Sequence, residues 1–165
     1  MAIKTMEDLF IHELSDIYSA EKQLTKALPR LARAASNPEL VAAFETHLEE
    51  TLGQVERIDQ VVEVLGIKLK RIKCAAMEGL VEEGKEVIEE VEKGPVRDAA
   101  LIGGAQKVEH YEIASYGTIA ALAKQLGYKD ALPLLLATLQ EEKATDEKLT
   151  LIAKSSSGAQ AAKAA

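Results

Sequence analysis

The chain has 165 residues, 47% of them hydrophobic, which is enough for one domain with a core of its own. Acidic residues outnumber basic ones by 27 to 20, and the resulting charge of −7 excludes a basic stripe for nucleic acid or anionic membrane. Aromatics are 4%, Trp is absent, and the single Cys74 cannot form an internal disulfide.

Ala, Leu, Glu and Lys dominate, and alternating β-type patterning is missing, so an all-α fold is expected. The early charges in Met1 to Asp8 leave no room for the apolar stretch of a signal peptide. The uncharged run from Ile113 to Ala123 is too short to span a bilayer. The expectation is a soluble, cytoplasmic protein.

Thr5, followed by Glu7 and Asp8, marks the start of a first helix that runs to about Ala35. Its apolar face reads Phe10, Leu14, Ile17, Glu21, Leu24, Leu28 and Leu31, and Pro29 is expected to kink or shorten its last turns. Asn37 and Pro38 open a second helix that Gly66 closes. Its inner face carries Leu40, Phe44, His47, then Glu50 or Thr51, Gln54, Ile58, Val61 and Leu65.

A basic connector, Ile67 to Cys74, leads into a shorter helix of about Ala75 to Glu92, which is expected to cross the outside of a bundle or to lie at a dimer contact. A third core helix from Val96 to Leu126 carries Ile102, Ala105, Glu109, Glu112, Tyr116, Ile119 and Ala123 on one face. The fourth, about Asp130 to Ala153, presents Leu132, Leu135, Leu139, Glu142, Asp146 and Leu149 inward. The domain is therefore expected over 1–153, with 154–165 as a flexible tail.

Carboxylates stand in the middle of four apolar faces, where an unpaired charge costs several kcal/mol. Short loops make helices one and two, and three and four, antiparallel neighbours. Glu21 and Glu50 lie about equally far from the first loop, and Glu112 and Glu142 about equally far from the second, so all four should meet at one height. Oxygen-rich clusters of this kind suit divalent cations. Di-iron and di-manganese bundles use one Glu from each of two helices plus Glu-x-x-His from the other two.

At these residues the chain resembles the YciE/YciF group of the ferritin-like superfamily. The resemblance covers nearly the whole chain and rests on Tyr18-Ser19-Ala20-Glu21-Lys22-Gln23-Leu24, His47 through Gln54, Glu109-His110-Tyr111-Glu112-Ile113-Ala114-Ser115-Tyr116, and Glu141-Glu142-Lys143. It implies a ferritin-like four-helix bundle, paired as a homodimer, with a di-iron centre and a role in bacterial stress responses. The ligands it implies are Glu21, Glu50, Glu109, Glu112 and Glu142. Gly53 and Thr145 stand where Glu-x-x-His would place histidines, so the site is expected to be rich in oxygen and open to Mn²⁺ or Mg²⁺ besides iron.

His47, Gln54, Asp146, Tyr18 and Tyr116 are expected to support the ligands or to replace one of them. His12 and His110 lie off the inner stripes, Cys74 has no partner for thiol catalysis, and Gly103-Gly104 is expected to allow close helix packing. A homodimer contact is expected on the outer face of the short helix and the apolar patch around Met77. Two functions follow. One is a two-metal protein that oxidises Fe²⁺ with oxygen or peroxide; the other is a non-enzymatic stress protein with a vestigial acidic centre.

Overall fold

In the computed structural model, which describes residues 2–164 and the side chains of residues 2–156, the described residues form five helices and no strand. Helix α1 spans Met6–Ala34 and starts with a capping box. Asp8 N donates to Thr5 Oγ1 at 3.0 Å, and Thr5 N donates back to Asp8 Oδ2 at 3.1 Å. Pro29 does not end α1, which continues to Ala34 with Leu28 and Ala32 buried on either side of it.

Helix α2 spans Pro38–Leu65, capped by Asn37 Oδ1, which accepts from Glu39 N at 2.8 Å. Gly66, at φ +62°, supplies the left-handed turn that stops it. Helix α3 covers Ala75–Glu90, α4 covers Pro95–Leu126 and α5 covers Leu132–Ala164. α5 thus runs past Ala153, where the sequence reading ended it. Beyond that point the chain is mostly Ala, Lys and Ser, and Gly158 is its only strong helix-breaker.

α1 packs on α2, and α4 packs on α5. α1 also meets α4, and α2 meets α5, so the four long helices surround one core. α3 lies against α1 and α4. Its Met77 is fully buried, so the patch expected around Met77 is covered within the chain itself. The connector is stitched down by Ser15 and Ser19, whose hydroxyls accept from Lys70 N at 3.0 Å and Cys74 N at 2.9 Å. Cys74 Sγ lies 3.1 Å from Tyr111 Oη, and Tyr111 donates to Asp16 Oδ2 at 2.6 Å.

The loop between α1 and α2 is tied to the start of α4 by Asp98. Its buried carboxylate accepts from Ser36 N at 2.8 Å, Ser36 Oγ at 2.7 Å and Asn37 N at 2.9 Å. The core itself is aliphatic, and Phe10 meets Tyr128 edge-on at 5.2 Å. No described helix is long and apolar enough to cross a membrane.

Candidate metal centre

The middle of this core is acidic. Glu21, Glu112 and Glu142 are 0% exposed and Glu109 is 1% exposed. Each takes the place that the helical repeat gives a core residue. Glu21 follows Ile17 and precedes Leu24 on α1, while Glu109 and Glu112 fall between Ala105 and Tyr116 on α4. His47, Glu109, Glu112 and Glu142 each offer an atom within 4.8 Å of the others. Three helices, α2, α4 and α5, therefore bring four metal-binding side chains to one point, and Glu21 on α1 adjoins them.

Few donors reach these groups. Tyr116 donates to Glu21 Oε1 at 2.5 Å, and Gln54 donates to Glu142 Oε1 at 2.5 Å. Both oxygens of Glu112, and one each of Glu21, Glu109 and Glu142, are buried without a hydrogen-bond partner. His47 Nε2 lies 3.0 Å from Glu109 Oε1, an ion-pair distance, but out of line for a hydrogen bond. Its Nδ1 lies 3.3 Å from Glu50 Oε2. Arg57 approaches the centre but is held by Glu141 in a two-pronged pair at 2.9 Å, so its charge does not satisfy the buried oxygens.

The electrostatics follow from that shortage. Burial, then the neighbouring Glu142 carboxylate, pushes Glu21 up to about 8. Burial pushes Glu109 to about 8 as well, against the pull of His47. Glu112 rises well above the usual carboxylate range through burial and repulsion from Glu142 and Glu21. Burial favours neutral His47, but the adjacent Glu109 and Glu50 carboxylates outweigh it and raise its pKa well above the ordinary value. Tyr116 is pushed up by burial and by the Glu21 charge, so it stays a hydrogen-bond donor.

The expected residues separate into three groups. Glu21, Glu109, Glu112 and Glu142 come together, with Gln54 and Tyr116 behind them. Glu50 stands at the edge, its side chain 35% exposed, and reaches the cluster only through His47 and through Thr145 Oγ1, which donates to it at 3.3 Å. The buried place on that turn belongs to Thr51, whose hydroxyl donates to His47 O at 2.7 Å. His47 itself belongs among the four convergent groups rather than behind them.

Asp146 and Tyr18 face elsewhere. Asp146 accepts from Gln106 at 3.3 Å and pairs with exposed His110 at 3.3 Å, because it sits one position off the Glu142, Thr145, Leu149 stripe. The Tyr18 ring carries Lys22 Nζ 4.6 Å from its centroid. Gly103 and Gly104 also depart from expectation: a Cβ at either would meet nothing within 4 Å, so no helix packs closely there. Thr145 was visible in the sequence only as the residue replacing a histidine.

An all-helical fold around a buried His and Glu group able to hold a metal ion is the class of protein that these observations define. The chain belongs to the family described as "Domain of unknown function (DUF892)", whose pattern matches residues 5–162. It is 69% identical over 154 residues to Protein YciF of Escherichia coli K12, with 93% of each chain covered. The crystal structure of the E. coli stress protein YciF superposes with a TM-score of 0.92 at 67% identity, over 94% of this chain and 99% of that one. YcfI from Rhodopseudomonas palustris, described as a structural protein, superposes with a TM-score of 0.87 at 49% identity, over 90% and 94% of the two chains.

Proposed function

We propose that this protein is a ferritin-like four-helix bundle whose centre holds two metal ions, in a homodimeric cytoplasmic protein of the bacterial stress response. The observation that carries this reading is the group of buried carboxylate oxygens on Glu21, Glu109, Glu112 and Glu142 that no donor reaches. Several such atoms in one core need a neutralising cation or protons. Glu109, Glu112, Glu142 and His47 would hold the ions, with Glu21 and Glu50 completing the set from α1 and α2. The nitrogen of His47 favours iron or manganese over magnesium.

Bound there, iron would supply redox chemistry with oxygen or peroxide, and Fe²⁺ would be the substrate oxidised. The chain's own residues prepare the place. Gln54 and Tyr116 each fix one oxygen of Glu142 and Glu21, which aims the other oxygen of each carboxylate into the cluster. Metal content after purification without chelators tests the reading. About two ions per chain are expected in the parent and fewer in Glu112→Gln. A chain that takes up neither Fe²⁺ nor Mn²⁺ overturns it.

The second reading is a non-enzymatic helical stress protein with a vestigial centre. It is favoured by Gly53 and Thr145, which stand where a second and third histidine would complete Glu-x-x-His, and by the description of the R. palustris relative as structural. Under it the buried acids carry protons, consistent with Glu21 and Glu109 being pushed to about 8.

A further inference from the structure

Two cavities lie between the surface and the acidic centre. The outer one, a cleft of about 290 Å³ between α1, α3 and α4, carries Glu83, Glu86, Glu90 and Lys107 among its lining residues, together with Leu101, Gly104 and Val108 on α4. The inner one holds about 20 Å³, space for roughly one water-sized molecule, and ends on His47 and Glu109. Leu24, Leu31, Ala105 and Val108 line both, so they form the neck between the two. Apart from Leu31, every residue around the inner cavity is buried. Glu50 lines neither cavity.

Gly104 keeps the cleft open. A Cβ there would meet nothing within 4 Å, although glycine inside a helix costs about 1 kcal/mol relative to alanine. α4 accepts that cost beside a cavity that any larger side chain would occupy.

We propose that this cleft is the entry for dioxygen to the edge of the centre made by His47 and Glu109, with Leu24, Leu31, Ala105 and Val108 as its neck. The proposal rests on the metal centre proposed above. The chemistry of the walls selects the molecule. At the neck, where Leu24, Leu31, Ala105 and Val108 offer no oxygen ligand, a hydrated cation would have to shed its water. Hydrogen peroxide would leave its hydrogen bonds to water unreplaced at the same neck. Dioxygen loses nothing there, and dry apolar cavities take up apolar gases such as xenon. Cations have a separate polar approach at Glu50, which is partly exposed and joined to His47 Nδ1 at 3.3 Å.

Two measurements on the full chain decide it, with Gly104→Phe to fill the cleft and Val108→Ala to widen the neck. The Cβ of Gly104→Phe enters open space and the substitution replaces a poor helix former, and an unchanged Mn²⁺ stoichiometry shows that the fold is kept. In xenon-pressurised crystals the parent should show xenon in the cleft, and Gly104→Phe should show none there. In stopped flow with Fe²⁺-loaded protein, each Fe²⁺ gives one electron, and dioxygen with two protons leaves as hydrogen peroxide. Its rate should fall roughly tenfold in Gly104→Phe, as for an approach that must wait for an opening, and should hold or rise in Val108→Ala. Oxidation by added peroxide and Mn²⁺ stoichiometry should match the parent in both variants.

Absence of xenon from the parent, an unchanged dioxygen rate in Gly104→Phe, or an equal loss with peroxide overturns the route. A parent that binds no Mn²⁺ or Fe²⁺ overturns the metal centre, and the route with it.

Discussion

Among the described residues, two places bury carboxylates, and they do it in opposite ways. Asp98 sits under the loop between α1 and α2, where two backbone amides and one hydroxyl meet its two oxygens at 2.7–2.9 Å. Glu112 sits at the centre of the core, and neither of its oxygens has a partner. Asp98 works as a cap that replaces water with fixed donors, and so it is a structural group. The cluster around Glu112 collects acceptors and very few donors, an arrangement that a core built only for stability has no use for. The difference separates a buried acid whose oxygens are met by fixed donors from buried acids that a cation or protons would have to satisfy.

Removing Asp98 should have the largest effect on stability. Asp98→Ala leaves three donors without their charged acceptor and should lower unfolding free energy by about 3 kcal/mol in urea titrations, while metal uptake per folded chain stays the same. Glu112→Gln should do the reverse in metal-free protein at pH 7. It removes a carboxyl group that must take up a proton to be buried beside Glu142 and Glu21, and should raise stability by about 2 kcal/mol while abolishing the response to Mn²⁺. If both variants lose stability alike, the two regions are not different in kind.

The pH dependence sharpens the contrast. Glu21 and Glu109, at about 8 in the folded chain, bind protons more tightly than in the unfolded chain, where Glu titrates near 4.5. Their contribution is complete below about pH 4.5 and is lost as pH rises through about 8. His47, raised above 6.5, contributes with the same sign. Metal-free protein should therefore lose stability across this range, by up to about 1.4 kcal/mol per pH unit for each proton by which the two states differ. Chemical denaturation at stepped pH checks the slope, and a stability that rises toward pH 8 would contradict it.

The smallest effect is expected at the edge of the cluster. Tyr116→Phe removes the one donor to Glu21 and should cost about 1 kcal/mol in the metal-free protein. In thermal melts that loss should shrink when a cation is bound, because the ion then satisfies Glu21.

Much of this was legible in the chain itself. Caps at Thr5 and Asn37 and the stop at Gly66 marked the first two long helices, and the helical repeat placed Glu21, Glu109, Glu112 and Glu142 among core residues. The matched distances from the loops, Glu21 with Glu50 and Glu112 with Glu142, pointed to one common height for the acids, and Glu21, Glu112 and Glu142 do share it. Choices one position apart on a helix were harder, because neighbours differ by only about 100° in direction. Glu50 and Thr51 both fit the inner face, and the rotation of α2 against α5 gave the core to Thr51. Asp146 lost its place for the same reason, turned toward Gln106 and His110. His47 lies on the same stripe as Thr51 and Gln54, a signal that pointed inward all along. The space beside Gly104 depends on how far α3 stands from α4, which local sequence does not encode.

Thermal melting of the parent at pH 7, with Mn²⁺ titrated into protein stripped by chelator and dialysed, tests the need for a cation most directly. A ligand that binds the folded state adds about 2.7 kcal/mol at one hundred times its Kd, which moves Tm by several degrees in a domain of this size. The expected result is a Tm that climbs with Mn²⁺ in the parent, stays flat in Glu112→Gln, and stops responding below about pH 4, where the carboxylates hold protons. A parent whose Tm ignores Mn²⁺ and Fe²⁺ at pH 7 would contradict the metal centre and leave the cluster as protonated packing.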